Sequence, residues 1–361
     1  MGLTDYVTLG RSGLRVSPLC LGAMTFGTEW GFGVGPEESA TLIDAYLDRG
    51  GNFIDSANIY TKGHSEKILG DHLAHDPSKR DRVVLATKFM GNMYPGDPNG
   101  GGAGRKAILN ACEQSLRRLR TDHIDLYWAH FWDRHTPIDE MMRALDDLVR
   151  TGKVRYVGLS DHPAWVCAIA QYEAIFRGWS PAIALQIEYS LLERTVEGEL
   201  IPMAQQLGLG VTPWSPLKGG ILTGKYTREN TPEPGEGRYD AQSQHLNERT
   251  FGIVDALVEI GTQTGSSPAQ VALRWVQGRP GVTSTIIGAR KMDQLVSNIE
   301  ALEVSLSDNQ IAKLDALSEP LLNFPHDFIN FARTAIQNGT TINGIQTEPW
   351  KLSPEGDQDR Y

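Results

Sequence analysis

The sequence predicts an α/β fold of the (β/α)8 TIM barrel type, with an N-terminal hairpin and an extended C-terminal segment. Three observations predict it. Short apolar runs recur along the chain, they lack the strict two-residue alternation of a half-exposed sheet, and amphipathic helical patterns separate them. Eight buried strands with helices between them fit a closed parallel barrel.

Element by element, "YVTLGRSGLRVS" reads as a hairpin that could plug the barrel floor. The first barrel run lies near residues 18–23. It is followed by "NFIDSA" (52–57), "RVVLATKF" (82–89), "HIDLYWAH" (123–130), "VRYVGLS" (154–160), "AIALQIEYS" (182–190), "GVTPWSPL" (210–217) and "TSTIIGA" (283–289). Between them, "RKAILNACEQSLRRLR" sets Ile108, Cys112, Leu116 and Leu119 on one helical stripe, and "TPIDEMMRALDDLVRTGK" does the same with Ile138, Met142, Leu145 and Leu148. Thr136 reads as the N-cap of the second helix, with Pro137 at its first position and Gly152 closing it; Ser267 and Pro268 repeat the device. Residues 223–250, rich in Gly, Pro and charge, read as a long loop after the seventh strand. The barrel core spans about 15–318 of a single domain, 1–361. In the remaining segment, 319–361, Phe324, Phe328 and Phe331 are costly to expose, so partial docking is expected, with disorder over the last ~10 residues.

Composition bounds the function. The formal charge of -10 argues against nucleic acid or an anionic membrane as a main partner. No apolar run approaches the ~20 residues of a membrane span, and the N-terminus lacks the pattern of a signal peptide. Cys20, Cys112 and Cys167 are far apart and form no CxxC, which fits reduced thiols in the cytoplasm. The histidines carry no HExxH or Cys/His ligand set, so no metal site is expected. The sequence leaves the oligomeric state open.

The stretch "GNFIDSANIY" (51–60) places Asp55 at the end of a buried strand, where a lone carboxylate is expensive to desolvate. Lys88 ends the third strand and is its natural counter-ion. His130 ends the fourth strand, and Tyr60 lies in the loop after the second. Active sites of such barrels form at the C-terminal ends of strands, so these four residues can converge at one mouth. A cationic Lys88 beside Tyr60 is expected to lower the phenol's pKa and fit it for proton transfer.

These residues, with "RRLRTDHIDLYWAH", "GKVRYVGLSD", "QIEYSLLER", "PWSPLKGGILTGKY" and "IIGARKMDQLVSNIEAL", resemble the aldo-keto reductase family, in its bacterial aryl-alcohol-dehydrogenase-like branch. The resemblance runs from "LGAMTFG" (21–27) to "NIEAL" (298–302). It implies reduction of a small-molecule carbonyl by hydride from NADPH, with Asp55, Tyr60, Lys88 and His130 as the catalytic tetrad. In that reading Tyr60 donates the proton, Lys88 tunes it, Asp55 holds Lys88 and His130 orients the carbonyl oxygen.

"GAGRKA" (102–107) fits a dinucleotide fingerprint, but it follows a loop and lacks the acidic partner, so it reads as a mobile loop near the mouth. "GARKMDQLVSN" instead runs from a strand end into a helix N-terminus, where free N–H groups favour an anion. Arg290 and Lys291 there suit a ribose 2′-phosphate, hence NADP over NAD. The resemblance adds Gln294 and Asn298 at the adenine, Ser160, Asp161 and Gln186 at the nicotinamide amide, and Trp214 stacked on its ring. By the same resemblance Ser215, Leu217 and Gly219 are expected to follow the pyrophosphate, and Gly22, Met24, Thr25, Asp55 and Gly288 to complete the cradle. Asp161 can accept from the amide NH2 but, ionised, cannot donate to its carbonyl. Trp30, Phe32, Tyr60, Tyr94, His130, Phe131, Trp132 and the 324–331 segment are candidate substrate walls. Two alternatives stay open: a regulatory cofactor-binding subunit of a larger complex, and an enzyme acting mainly as an NAD(P)+-dependent alcohol or sugar dehydrogenase.

Overall fold

Each apolar run becomes a strand because its backbone groups find ladder partners on both sides while both faces are covered. The computed structural model describes residues 2–230, 232, 239 and 243–360. Its main sheet has eight parallel strands: β3 (Leu19–Gly22), β4 (Phe53–Asp55), β5 (Val84–Phe89), β6 (Ile124–Ala129), β7 (Val154–Ser160), β8 (Ala182–Glu188), β9 (Gly210–Trp214) and β10 (Thr285–Ile287). β10 pairs with β3, and a parallel bridge between Val211 and Val282 joins the last strand region to β9. Val211 accepts from Thr283 N at 2.8 Å there, which completes the barrel.

The helices packed outside are α1 (Pro36–Asp48), α2 (His64–Ala74), α3 (Pro77–Arg82), α4 (Arg105–Leu119), α5 (Ile138–Arg150), α6 (Ala164–Arg177), α7 (Leu200–Leu207), α8 (Glu248–Thr264), α9 (Pro268–Gln277), α10 (Met292–Glu300) and α11 (Asp308–Leu317). Ile108, Cys112, Leu116 and Leu119 of α4 are buried, as their spacing requires, and so are Met142, Leu145 and Leu148 of α5. Ser267 caps α9 in a reciprocal arrangement with Gln270. Thr136 does not cap α5. Pro137 occupies the N-cap position, and the Thr136 hydroxyl donates to Asp133 in the preceding turn at 2.7 Å. Much of the predicted loop at 223–250 (residues 231, 233–238 and 240–242) lies outside the described residues.

Two apolar layers result. One fills the space between strands and helices. The other fills the barrel interior with Phe53, Val84, Ala86, Leu126, Trp128 and Ala184. At the N-terminal end of the barrel, β1 (Val7–Thr8) pairs with β2 (Arg15–Val16), and Leu9 and Val16 join the interior cluster. Gly10 at the hairpin tip has φ +58, and a Cβ there would lie 2.1 Å from the Ile183 carbonyl oxygen. Only glycine lets the turn approach so closely. Arg11 N donates to Gly208 O at 2.7 Å, fixing the hairpin as a floor plug.

The second compact unit, Pro320–Tyr361, contains α12 (His326–Gln337) and a hairpin of β11 (Thr341–Ile342) and β12 (Ile345–Gln346). Asn343 and Gly344 turn the hairpin with positive φ at both positions. Within this unit the rings of Phe324 and Phe328 are 6.4 Å apart, and those of Phe328 and Phe331 6.3 Å. No helix among the described residues is long and apolar enough to cross a membrane.

Inside the barrel, Gly158 of β7 lies where a Cβ would sit 2.3 Å from the Trp128 ring. Gly158→Ala is therefore expected to destabilise the fold by about 1–3 kcal/mol through overpacking, read from urea unfolding. A change below ~0.5 kcal/mol would show that Trp128 shifts freely.

Candidate active site

Ladder register places the polar residues at one rim. Gly22 pairs with Asp55, Lys88 with Trp128, Ala129 with Leu159 and Ser160 with Gln186, each at the C-terminal end of its strand. Asp55 and Lys88 thus come from adjacent strands and point into the same buried volume.

Lys88 is fully buried. Its Nζ forms a salt bridge with Asp55 Oδ2, donates to Ser56 O at 2.8 Å, and reaches Tyr60 Oη at 3.1 Å. Three oxygen partners satisfy the ammonium's three donors. Burial alone would pull its pKa down, but the Asp55 carboxylate and Tyr60 outweigh that and hold it above the usual lysine range. Gln186 Nε2 donates to the other Asp55 oxygen at 3.3 Å.

Tyr60 behaves otherwise than expected. Its pKa is raised, not lowered, because desolvation at the barrel end exceeds the pull of Lys88. The phenol is therefore held protonated at neutral pH. His130 stands edge-on to the Tyr60 ring, 5.8 Å between centroids at 78°. Burial, and then the Lys88 charge, depress its pKa to about 3, so it is neutral. Its Nδ1 is buried without a hydrogen-bond partner.

The loop of residues 23–35 is tied over this rim. Thr25 Oγ1 donates to Ala289 O at 3.1 Å, Thr61 Oγ1 donates to Phe26 O at 2.7 Å, and Phe26 bridges to Val34. It carries Trp30, whose ring is 6.1 Å from Tyr60 and 6.0 Å from Phe32. On the opposite side, Phe131 packs on His130 at 5.0 Å. Trp132 instead pairs edge-on with Trp165 at 5.2 Å. Tyr94 is half exposed and lines a cavity of about 50 Å³ with Asn58, Asp97 and Arg118. Thr61 and the Ser56 carbonyl had no sequence signal. Thr61 holds φ +46 without being glycine, and a carbonyl's partner is not written in the side-chain pattern.

The remaining rim offers polar groups from β7 round to α10. Asp161, at φ +51, accepts from Trp214 Nε1 at 3.0 Å and from Ser160 Oγ at 3.2 Å; desolvation pushes its carboxyl up to about 6. Ser215 (φ +53) and Gly219 (φ +59) turn the chain after β9. Asn298 Nδ2 donates to Gly288 O at 3.1 Å, and the space in front of Gly288 is open. α10 begins without a side-chain cap on Lys291. Arg290 is only partly buried; its backbone N–H donates to Gln294 Oε1 at 2.9 Å and its guanidinium reaches Phe32 O at 3.5 Å. Uncapped amides beside a cation fit an anionic group, while Asp293 in the same first turn opposes one. Taken together, the residues present along the rim from β7 to β10 fit a nicotinamide dinucleotide. The "GAGRKA" helix start does not: Glu140 Oε1 accepts from Arg105 N at 2.9 Å and Asp133 Oδ2 from Ala103 N at 3.0 Å, so carboxylates already hold it.

Similarity to known proteins agrees with this architecture. Uncharacterized oxidoreductase YrpG of Bacillus subtilis (strain 168) is 41% identical over 319 residues, covering 86% of this chain and 94% of its own. Norsolorinic acid reductase B of Aspergillus parasiticus is 37% identical over 329 residues, 88% of this chain and 85% of its own. An aryl-alcohol dehydrogenase of Pestalotiopsis microspora is 34% identical over 325 residues, 88% and 83% respectively. The family model for the aldo/keto reductase family matches residues 18–319, the whole barrel, and with these relatives it shows that the chain belongs to the aldo/keto reductase family.

Proposed function

We propose that this oxidoreductase interconverts an aldehyde or ketone and its alcohol, using NADPH, with Tyr60 as the general acid–base. The observation that carries the reading is the contact of the buried Lys88 ammonium with both Tyr60 and Asp55. A bound nicotinamide cofactor supplies the hydride in reduction and accepts it in oxidation.

The protein's own residues do the rest. Tyr60, kept protonated by desolvation, gives its proton to the carbonyl oxygen as charge develops there. The phenolate left behind faces the Lys88 ammonium, and Asp55 keeps that ammonium charged and fixed. Neutral His130, across the ring of Tyr60, orients the carbonyl oxygen. Asp161 fixes the Trp214 indole, Gln186 and Ser160 sit at the same rim for the carboxamide, and Arg290 with the start of α10 takes the 2′-phosphate. Trp30, Phe32 and Phe131 offer flat apolar walls around the tyrosine, which suits an aryl carbonyl. Relatives named for an aryl alcohol and for norsolorinic acid support that substrate class.

Tyr60→Phe is expected to lower kcat by about 100-fold or more while NADPH binding, followed by protein fluorescence, stays within ~3-fold. Retained turnover would remove Tyr60 as the proton donor. Arg290→Ala should weaken NADPH by roughly 10-fold or more and leave NADH nearly unchanged, since a charged hydrogen bond to the 2′-phosphate is worth ~1.5–3 kcal/mol. Equal effects on the two cofactors would sink the preference for NADP.

His130 supplies a test in pH. Its folded pKa, about 3, lies below the ordinary 6.5, so between these values the unfolded chain binds the extra proton. Stability is then lost as pH falls from about 6.5 towards 3. His130→Gln should remove that slope, and the wild type should lose on the order of 1 kcal/mol relative to it between pH 7 and 5. Parallel unfolding curves at both pH values would show that His130 is not held neutral.

A further inference from the structure

α6 is apolar on both sides. Its inner residues Cys167, Ala170 and Ala174 pack into the layer between strands and helices, and Val166 is also buried. Its outer face carries Trp165 (53% exposed), Ile169 (43%), Tyr172 (48%), Ile175 (53%) and Phe176 (82%). Trp165, Ile169, Tyr172 and Phe176 are spaced four, three and four residues apart, the repeat of a seam that packs against another helix. No charge interrupts it. Glu173 and Arg177 are turned to each other along the helix at 2.5 Å, and Tyr172 stacks on Phe176 at 5.8 Å and 22°. In a chain of formal charge -10, an uncharged seam of this length is where two copies can meet with least repulsion.

The area decides the occupant. With aromatic side chains of ~150–250 Å² each, the five residues expose roughly 550 Å² per copy. That is at the upper end of what monomers leave open, ~300–600 Å². Paired with itself across a two-fold axis, the same face covers roughly 1,100 Å², above the ~1,000 Å² that a specific interface needs. A two-fold contact also requires one patch to be complementary to itself, and this seam, with Ile169 and Tyr172 on either side of its midpoint, meets that condition when two helices run antiparallel.

We propose that the outward face of α6 is a two-fold interface between two copies of this chain. The proposal is independent of the reaction assigned above. Sedimentation velocity of the full chain at about 50 µM should give twice the chain mass, with self-association weakened by ~30-fold or more in Ile169→Asp and in Phe176→Glu. Both side chains face outward, so the far-UV circular dichroism of the folded chain should be unchanged. In a third variant, Ile169→Cys, a short bismaleimide should link two copies, since the three native cysteines are buried. Three results would overturn the proposal. One is a single-copy mass at every concentration. Another is a dimer that survives both charged substitutions. The third is a dimer broken by Phe328→Glu with no Ile169→Cys cross-link, which would make the exposed face of α12 the occupant instead.

Discussion

The salt bridge between Asp55 and Lys88 is the constraint on which the site depends. Both side chains are out of water, at 3% and 0% exposure, and either ion alone there would cost several kcal/mol. Their attraction offsets that cost only if both are fixed and their remaining lone pairs and protons are used. The surroundings supply this through the Ser56 carbonyl, Gln186 and Tyr60. Neighbouring strands make the geometry rigid: Asp55 and Lys88 are held by the β4–β5 ladder and by the apolar interior beneath them. The polar centre and the dry barrel therefore support each other. A looser interior would let water in and weaken the field at Tyr60.

A second layer of constraint is backbone strain around the rim. Thr61, Lys62, Met90, Asp161, Ser215 and Lys218 all have positive φ without being glycine. Each such residue costs of order 1 kcal/mol, and such conformations persist where the surrounding contacts over-determine them. Here they follow strand ends, where the chain must turn sharply to aim a side chain across the mouth. Asp161 shows the gain: its turned backbone brings its carboxylate to the Trp214 indole, two strands further round the barrel.

Much of this was legible in the sequence because it rests on periodicity. Eight apolar runs and the stripes of α4 and α5 specify which faces are buried, and a barrel follows from their alternation. The four rim residues were legible too, since strand-end position is a matter of counting. What was not legible depends on solvation and on backbone contacts. The direction of the Tyr60 shift turned on whether burial or Lys88 prevailed, which only a three-dimensional arrangement decides. Thr136 looked like a cap, yet Asp133 in the previous turn accepts its hydroxyl. Asn343–Gly344 was a readable hairpin signal inside a tail whose polar composition concealed it.

The hairpin at the floor caps a barrel whose interior is already filled by side chains. Leu9 and Gly10 close one end with backbone packed on backbone, so solutes have no through-passage along the barrel axis. Whatever enters at the rim must leave by the same opening. Access to this protein is thus one-sided, a property set by the packed interior and the floor at the end of the barrel farthest from the rim.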